Sequence, residues 1–158
     1  MSDEVEQRLR ALGLELPQRP IPIANFLPFR VAGNTAYLAG QICELDGRVP
    51  YSGRVGVEVE FEAGRAAARL CALNLLASLR EACGGSFERV ERCLRVGGFV
   101  QAEAGYTRVP HVIDGASELF VALFGERGKH ARTAVGVATL PQNAAVEVDA
   151  IFELRGPR

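Results

Sequence analysis

The chain has 158 residues, 48% of them hydrophobic, with 18 Lys and Arg against 19 Asp and Glu for a formal net charge of −1. That size and apolar content suit one domain with its own core and leave too little for two, and near-neutrality argues against a global field drawing nucleic acid or anionic lipid. The N-terminus, MSDEVEQRLRALGLEL, has neither a basic start nor a continuous apolar block, and no stretch approaches the roughly 20 apolar residues of a membrane span, so a soluble, cytoplasmic protein is expected.

Residues 3–12 place Val5, Leu9 and Leu12 at i, i+4 and i+7, which predicts a short amphipathic helix. Pro17, Pro20, Pro22 and Pro28 follow, so residues 1–21 read as a helix and Pro-rich extension lying over a domain that spans 22–158. Phe29–Ala32 and Ala36–Ile42 flank Gly33-Asn34, the pattern of a β-hairpin. Over residues 61–82, Ala66, Leu70, Leu73 and Ala77 form one stripe with Ala67, Leu76 and Leu79 beside it, a core-facing helix that Gly84-Gly85 stops. Val90–Gln101 alternates with Val90, Leu94, Val96 and Val100 as its apolar face, and Gly97-Gly98 marks a bulge or a close backbone approach. Residues 109–125 predict a second helix through Val112, Ile113, Ala116, Leu119, Phe120 and Leu123.

The last two strands carry the chemistry. In HARTAVGVATLP, period two puts Arg132, Ala134, Gly136, Ala138 and Leu140 on one face and Thr133, Val135, Val137 and Thr139 on the other. The second set reads as core. The first is a charge followed by a floor of tiny side chains, which lets a backbone, a subunit or a small ligand come close. A guanidinium keeps its proton in a protein, so Arg132 demands an anion, either a ligand or Glu147, Asp149 or Glu153 of a neighbouring copy. In the final strand Val146, Val148, Ala150, Phe152 and Leu154 are the apolar face, with Glu147, Asp149 and Glu153 opposite.

Two helices cover only one face of such a sheet, and the small, polar character of the other argues for symmetric association of identical chains. Cys43, Cys71, Cys83 and Cys93 show no C-x-x-C pairing and read as reduced, buried small hydrophobes, with no zinc site expected. His111 and His130 lie far from any cysteine cluster, and His130 reads as a rim residue.

The run ARTAVGVATLP at 131–141, followed by VEVDAI at 146–151, resembles the signature segments of the RidA/YjgF family, also described as L-PSP endoribonuclease-like. LAGQI at Leu38–Ile42 and the helix-to-strand joint at Gly84-Gly85 support the resemblance, which covers about residues 22 to 154. It implies an α/β (α+β) fold of chorismate-mutase-like type, a mixed sheet with two helices on one face, assembled as a homotrimer with clefts between subunits. It also implies hydrolysis of reactive 2-imino and enamino acids to 2-oxo acids and ammonia, with no cofactor and no metal. The expected partner is a small carboxylate-bearing imine, enamine or 2-oxo acid, and neither nucleic acid nor membrane.

By the same resemblance Arg132 holds the substrate carboxylate and Glu147 positions or activates water, with Gly40, Ala134 and Ser117 at the cleft; Phe26 and Phe120 either wall the pocket or, as aromatics at such spacings more often do, belong to the core. Two parallel charge-assisted hydrogen bonds from Arg132, each on the order of 1.5–3 kcal/mol when shielded, would fix the ligand. Phe26, Ala39, Ala134 and Ser117 depart from the Tyr, Ser, Cys and Asn usual in active members. Along one chain Arg132 and Glu147 could lie roughly 15–20 Å apart, and subunit contact could bring them together. Two alternatives stand beside hydrolysis: a non-catalytic trimeric binding protein for small carboxylates, and a ribonuclease or translation inhibitor. The near-neutral charge and the lack of a paired His/Lys or metal constellation disfavour the last.

Overall fold

The alternation across residues 29–42 resolves into an antiparallel hairpin, β1 (Phe29–Ala32) and β2 (Thr35–Ile42), turning at Gly33-Asn34. The structure, a computed structural model, describes residues 3–18 and 24–156. Pro20, Pro22 and the expected boundary between residues 21 and 22 lie outside the described residues. Before the hairpin comes α1 (Glu4–Ala11); after it come α2 (Phe61–Ala82), β3 (Val90–Gln101), α3 (Val109–Phe124), β4 (Ala131–Val137) and β5 (Val146–Leu154).

The five strands form one mixed sheet in the order β1-β2-β5-β3-β4, with only β3 and β4 parallel. Helix α2 buries Ala67, Leu70, Leu73, Leu76 and Leu79 against β2 and β5, while α3 buries Val112, Ile113, Ala116, Leu119, Phe120 and Leu123 against β3 and β4. Asn74 of α2, fully buried, donates to the carbonyls of Ile42 (3.2 Å) and Glu44 (2.9 Å) and so pins the end of β2. Gly84 and Gly85 follow α2 with φ of +83° and +106°, the left-handed backbone that ends a helix without a Cβ penalty.

Helix α3 sits unusually close to its neighbours, and glycine is the reason. A Cβ built on Gly98 of β3 would meet three Ile113 carbons at 2.5–2.7 Å, and one on Gly115 would stand 2.2 Å from the Arg65 carbonyl oxygen. The close approach expected at Gly97-Gly98 is therefore present. The irregularities in β3 fall elsewhere, between Val90 and Arg92 and between Cys93 and Arg95. They shift the strand's phase, so Cys93 enters the core and Leu94, expected there, is 39% exposed.

Two helices, α2 and α3, cover one face of the sheet as expected, and α1 lies over them, packing on α3 with Val5 and Leu9 buried, Arg8 donating to the Leu123 carbonyl (2.8 Å) and Arg80 of α2 bonded to Glu6 (2.6 Å). Asp3 caps α1, accepting from the Val5 N–H, and also accepts from the Phe87 N–H. The two faces of β4 are the reverse of those expected. Arg132, Ala134 and Gly136 lie beneath α3, and Val135, expected in the core, is 40% exposed on the uncovered face. Beneath the helix, Gly136 sits against Val109 (3.6 Å from its would-be Cβ) and Arg132 reaches Asp114, while the β-branched set faces outward.

Candidate functional site

Two clusters of the expected residues form, one on each side of the sheet. On the helical side, α3 places Asp114 and Ser117 three residues apart, hence on one helix face, directly over Arg132 of the edge strand. Arg132 Nη1 donates to Asp114 Oδ1 at 2.8 Å and to Ser117 Oγ at 3.2 Å, and Nη2 donates to the Pro110 carbonyl at 3.3 Å. The anion demanded by Arg132 therefore comes from its own chain, and the expectation that a ligand or a neighbouring copy must supply it is corrected. Both side chains remain partly open, 23% for Arg132 and 35% for Asp114. Arg132 Nε and one Nη2 hydrogen have no partner among the described residues, so a second acceptor can still be held.

His130 extends this cluster. Its Nδ1 lies 2.7 Å from the Gly128 carbonyl, which can only accept, so Nδ1 bears the proton. Burial, opposed by that hydrogen bond and reinforced by the nearby Arg132 charge, holds the imidazole below its ordinary pKa. The neutral ring then accepts at Nε2 from the Ser117 hydroxyl, 2.9 Å away. A continuous relay runs from Gly128 through His130 and Ser117 to Arg132 and Asp114. Ala134 continues the face beyond Arg132. Phe120 has no exposed surface; its ring packs edge-on against His130 and Phe152, so within the chain it backs the cluster rather than lining an opening.

The floor of small residues leads further along β4 to an open cavity of about 450 Å³, where Gly136 and Ala138 meet Arg54, Glu103, Tyr106 and Val109. Arg54 there is bonded to Glu58 at 3.2 Å. Asp114, Arg54 and Tyr106 were not singled out from sequence; they lie on other elements at spacings unrelated to the Arg132 motif.

Glu147 belongs to the second cluster. It pairs with Phe99 and Ile42 on the uncovered face, and its Oε1 lies 2.7 Å from where a Gly40 Cβ would stand, so glycine at that bend of β2 lets the carboxylate lie against the backbone without shifting. Burial, and then the charge of Asp149, raises the Glu147 pKa. Burial also raises that of Asp149, against the opposing effects of the Gly97 N–H (3.1 Å from its Oδ1) and of Arg95. Phe26, 51% exposed, stands on the segment that runs beside β2, tied there by the Ala39 N–H to the Pro28 carbonyl at 2.9 Å.

Arg132 pairs with Val96, which pairs with Ala150 on the helix-covered face, so Arg132 and Glu147 point to opposite sides of the sheet with β3 between their strands. Two strand spacings, about 10 Å, a three-residue offset along β3 from Val96 to Phe99, about another 10 Å, and the thickness of the sheet separate them, in keeping with the expected distance of roughly 15–20 Å. The structure brings Arg132, Ser117 and Ala134 together, and Glu147 with Gly40, and does not join the two groups within one chain. Among the described residues no three His, Cys, Asp or Glu side chains are placed to hold a metal ion, and no helix is long and apolar enough to cross a membrane.

The family described as "YjgF/chorismate mutase-like, putative endoribonuclease" matches residues 6–154, a stretch that begins within α1. Protein TCP17 of Trypanosoma cruzi is 38% identical over 154 residues, covering 97% of this chain and 96% of that protein. The crystal structure of Atu1372 from Agrobacterium tumefaciens, titled as a protein of unknown function, is 41% identical with a TM-score of 0.89, over 95% of this chain and 92% of that one. A structure from Shewanella oneidensis MR-1, titled a putative endoribonuclease, is 34% identical with a TM-score of 0.92, over 96% of this chain and all of that one.

Proposed function

Because the chain belongs to the YjgF/chorismate mutase-like, or RidA/YjgF, family, we propose that it hydrolyses reactive 2-imino and enamino acids to 2-oxo acids and ammonia, in clefts completed where copies of a homotrimer meet. The observation that carries this reading is the division of the chemistry between the two faces of the sheet. Arg132 offers unused donors for a carboxylate on one side, and Glu147 offers a partly buried carboxylate on the other. A second copy docking its uncovered face against the β4 edge would bring one of each together, as the symmetric association of identical chains allows.

The chemistry asks little of the protein. With the substrate carboxylate on Arg132, water adds to the carbon of the protonated imine as Glu147 takes its proton. Glu147 returns that proton to the carbinolamine nitrogen, and as it takes the hydroxyl proton the C–N bond breaks to release ammonia and the 2-oxo acid. A carboxylate with a raised pKa is a better proton acceptor than an exposed one at neutral pH. Orientation of water and imine supplies much of the acceleration, since the reaction is intrinsically easy.

The test is to generate 2-iminobutyrate or 2-iminopropionate enzymatically and follow 2-oxo acid formation with the wild type and with Arg132→Ala. Faster formation that Arg132→Ala loses supports the proposal; no acceleration with any of several imines rejects it. Thermal stabilisation by 2-oxobutyrate, pyruvate or benzoate without turnover, lost in Arg132→Ala, would instead favour a carboxylate-binding protein.

A further inference from the structure

We propose that Asp114 makes the Arg132 site selective for zwitterions, ligands bearing a cationic nitrogen on the carbon next to their carboxylate, so that it holds a protonated 2-imino acid in preference to the 2-oxo acid product. This rests on the reading of Arg132 as the carboxylate anchor. Arg132 and Asp114 already neutralise one another through the 2.8 Å contact of Nη1 with Oδ1. A plain anion binding to the remaining Nε and Nη2 donors leaves the site with a net negative charge and sets two carboxylates against one guanidinium. A zwitterion restores neutrality: its carboxylate takes the unused donors and its nitrogen faces Asp114, whose Oδ2 has no partner among the described residues.

Among the described residues no neighbouring group supplies that positive charge instead. Arg65, the other cation close to Asp114, is bonded to Glu118 at 2.5 Å. His130 accepts from Ser117 as a neutral ring. Hydrolysis exchanges the substrate's nitrogen for oxygen, so the product is a simple anion and the ammonia departs separately. The same carboxylate that welcomes substrate thus weakens the hold on product. In a partly open site the preference should be modest, about tenfold in affinity.

Isothermal titration of the whole chain with 2-aminobutyrate, a stable zwitterion, and with 2-oxobutyrate tests this directly. The wild type should bind 2-aminobutyrate about tenfold more tightly, and Asp114→Asn should tighten 2-oxobutyrate and weaken 2-aminobutyrate, reversing the order. Asp114→Ser is a second variant should the first fold poorly, and the wild-type order stands without either. Equal or tighter binding of 2-oxobutyrate by the wild type, or equal shifts of both ligands in Asp114→Asn, would overturn the selectivity. If neither ligand binds, or Arg132→Gln changes neither affinity, the anchor itself is wrong and both proposals fail. If zwitterion preference is found without imine turnover, only the hydrolase reading falls.

Discussion

Arg132 and Glu147 occupy opposite faces of the same sheet, Arg132 beneath α3 on the edge strand β4 and Glu147 on the uncovered side of β5. No side-chain rotation moves either one through the sheet, so a reaction that uses both must draw them from different chains.

Complementation measures this. Arg132→Ala and Glu147→Gln chains are each expected to be inactive alone. Unfolded together and refolded, they should regain about one quarter of wild-type imine hydrolysis, the chance that a cleft receives both native residues. Mixed assemblies verified by mass spectrometry but devoid of activity would place the whole reaction on one face.

Gly115→Ala is expected to destabilise the fold by about 2–3 kcal/mol, read as a lower urea midpoint. The new methyl would meet the Arg65 carbonyl oxygen 2.2 Å away, and backbone cannot step aside as a flexible side chain can. It should also loosen the cluster around Arg132, because α3 carries Asp114 and Ser117. An unchanged midpoint would contradict the contact between α2 and α3.

The two carboxyls on the uncovered face predict a pH dependence of definite sign. Glu147 is held above its ordinary pKa by burial and then by Asp149, and Asp149 by burial. The native chain therefore keeps these protons to higher pH than the unfolded chain does. Their contribution to stability falls as pH rises from the ordinary carboxylate range through the raised values, and stays lowered above it. Glu147→Gln should accordingly melt above the wild type at about pH 7 and converge with it near pH 4. A lower melting temperature for the variant at neutral pH would mean the carboxylate is stabilised by contacts not seen here.

His130 should show the Nδ1–H tautomer by nitrogen-15 NMR at neutral pH, with Nε2 resonating as an unprotonated acceptor, and should take a second proton only below its ordinary 6.5. A proton found on Nε2 would break the relay through Ser117.

The bounds of α2, β3 and most of the hairpin were legible because each is a long stretch with one dominant period between glycine-rich breaks. Period alone does not say which of two faces is buried. In β4 both alternating sets are largely uncharged, and the choice fell to α3, which seats Val109 against Gly136 and gives Arg132 its partner Asp114. In β3 two one-residue shifts rephased the strand and exchanged Leu94 for Cys93. Asp114 carried no signal as a partner for Arg132: the two are 18 positions apart, on a helix and a strand, and only the helix–sheet crossing joins them.

From its own letters the chain determines its helices and strands, its family and the residue types able to hold a carboxylate and activate water, because these follow from local periodicity and from motifs a few residues long. Tertiary structure alone decided that Arg132 is answered by Asp114 and that Arg132 and Glu147 face away from each other. The physical reason is that these outcomes depend on how closely one helix approaches an edge strand, a distance set by packing among residues remote in sequence.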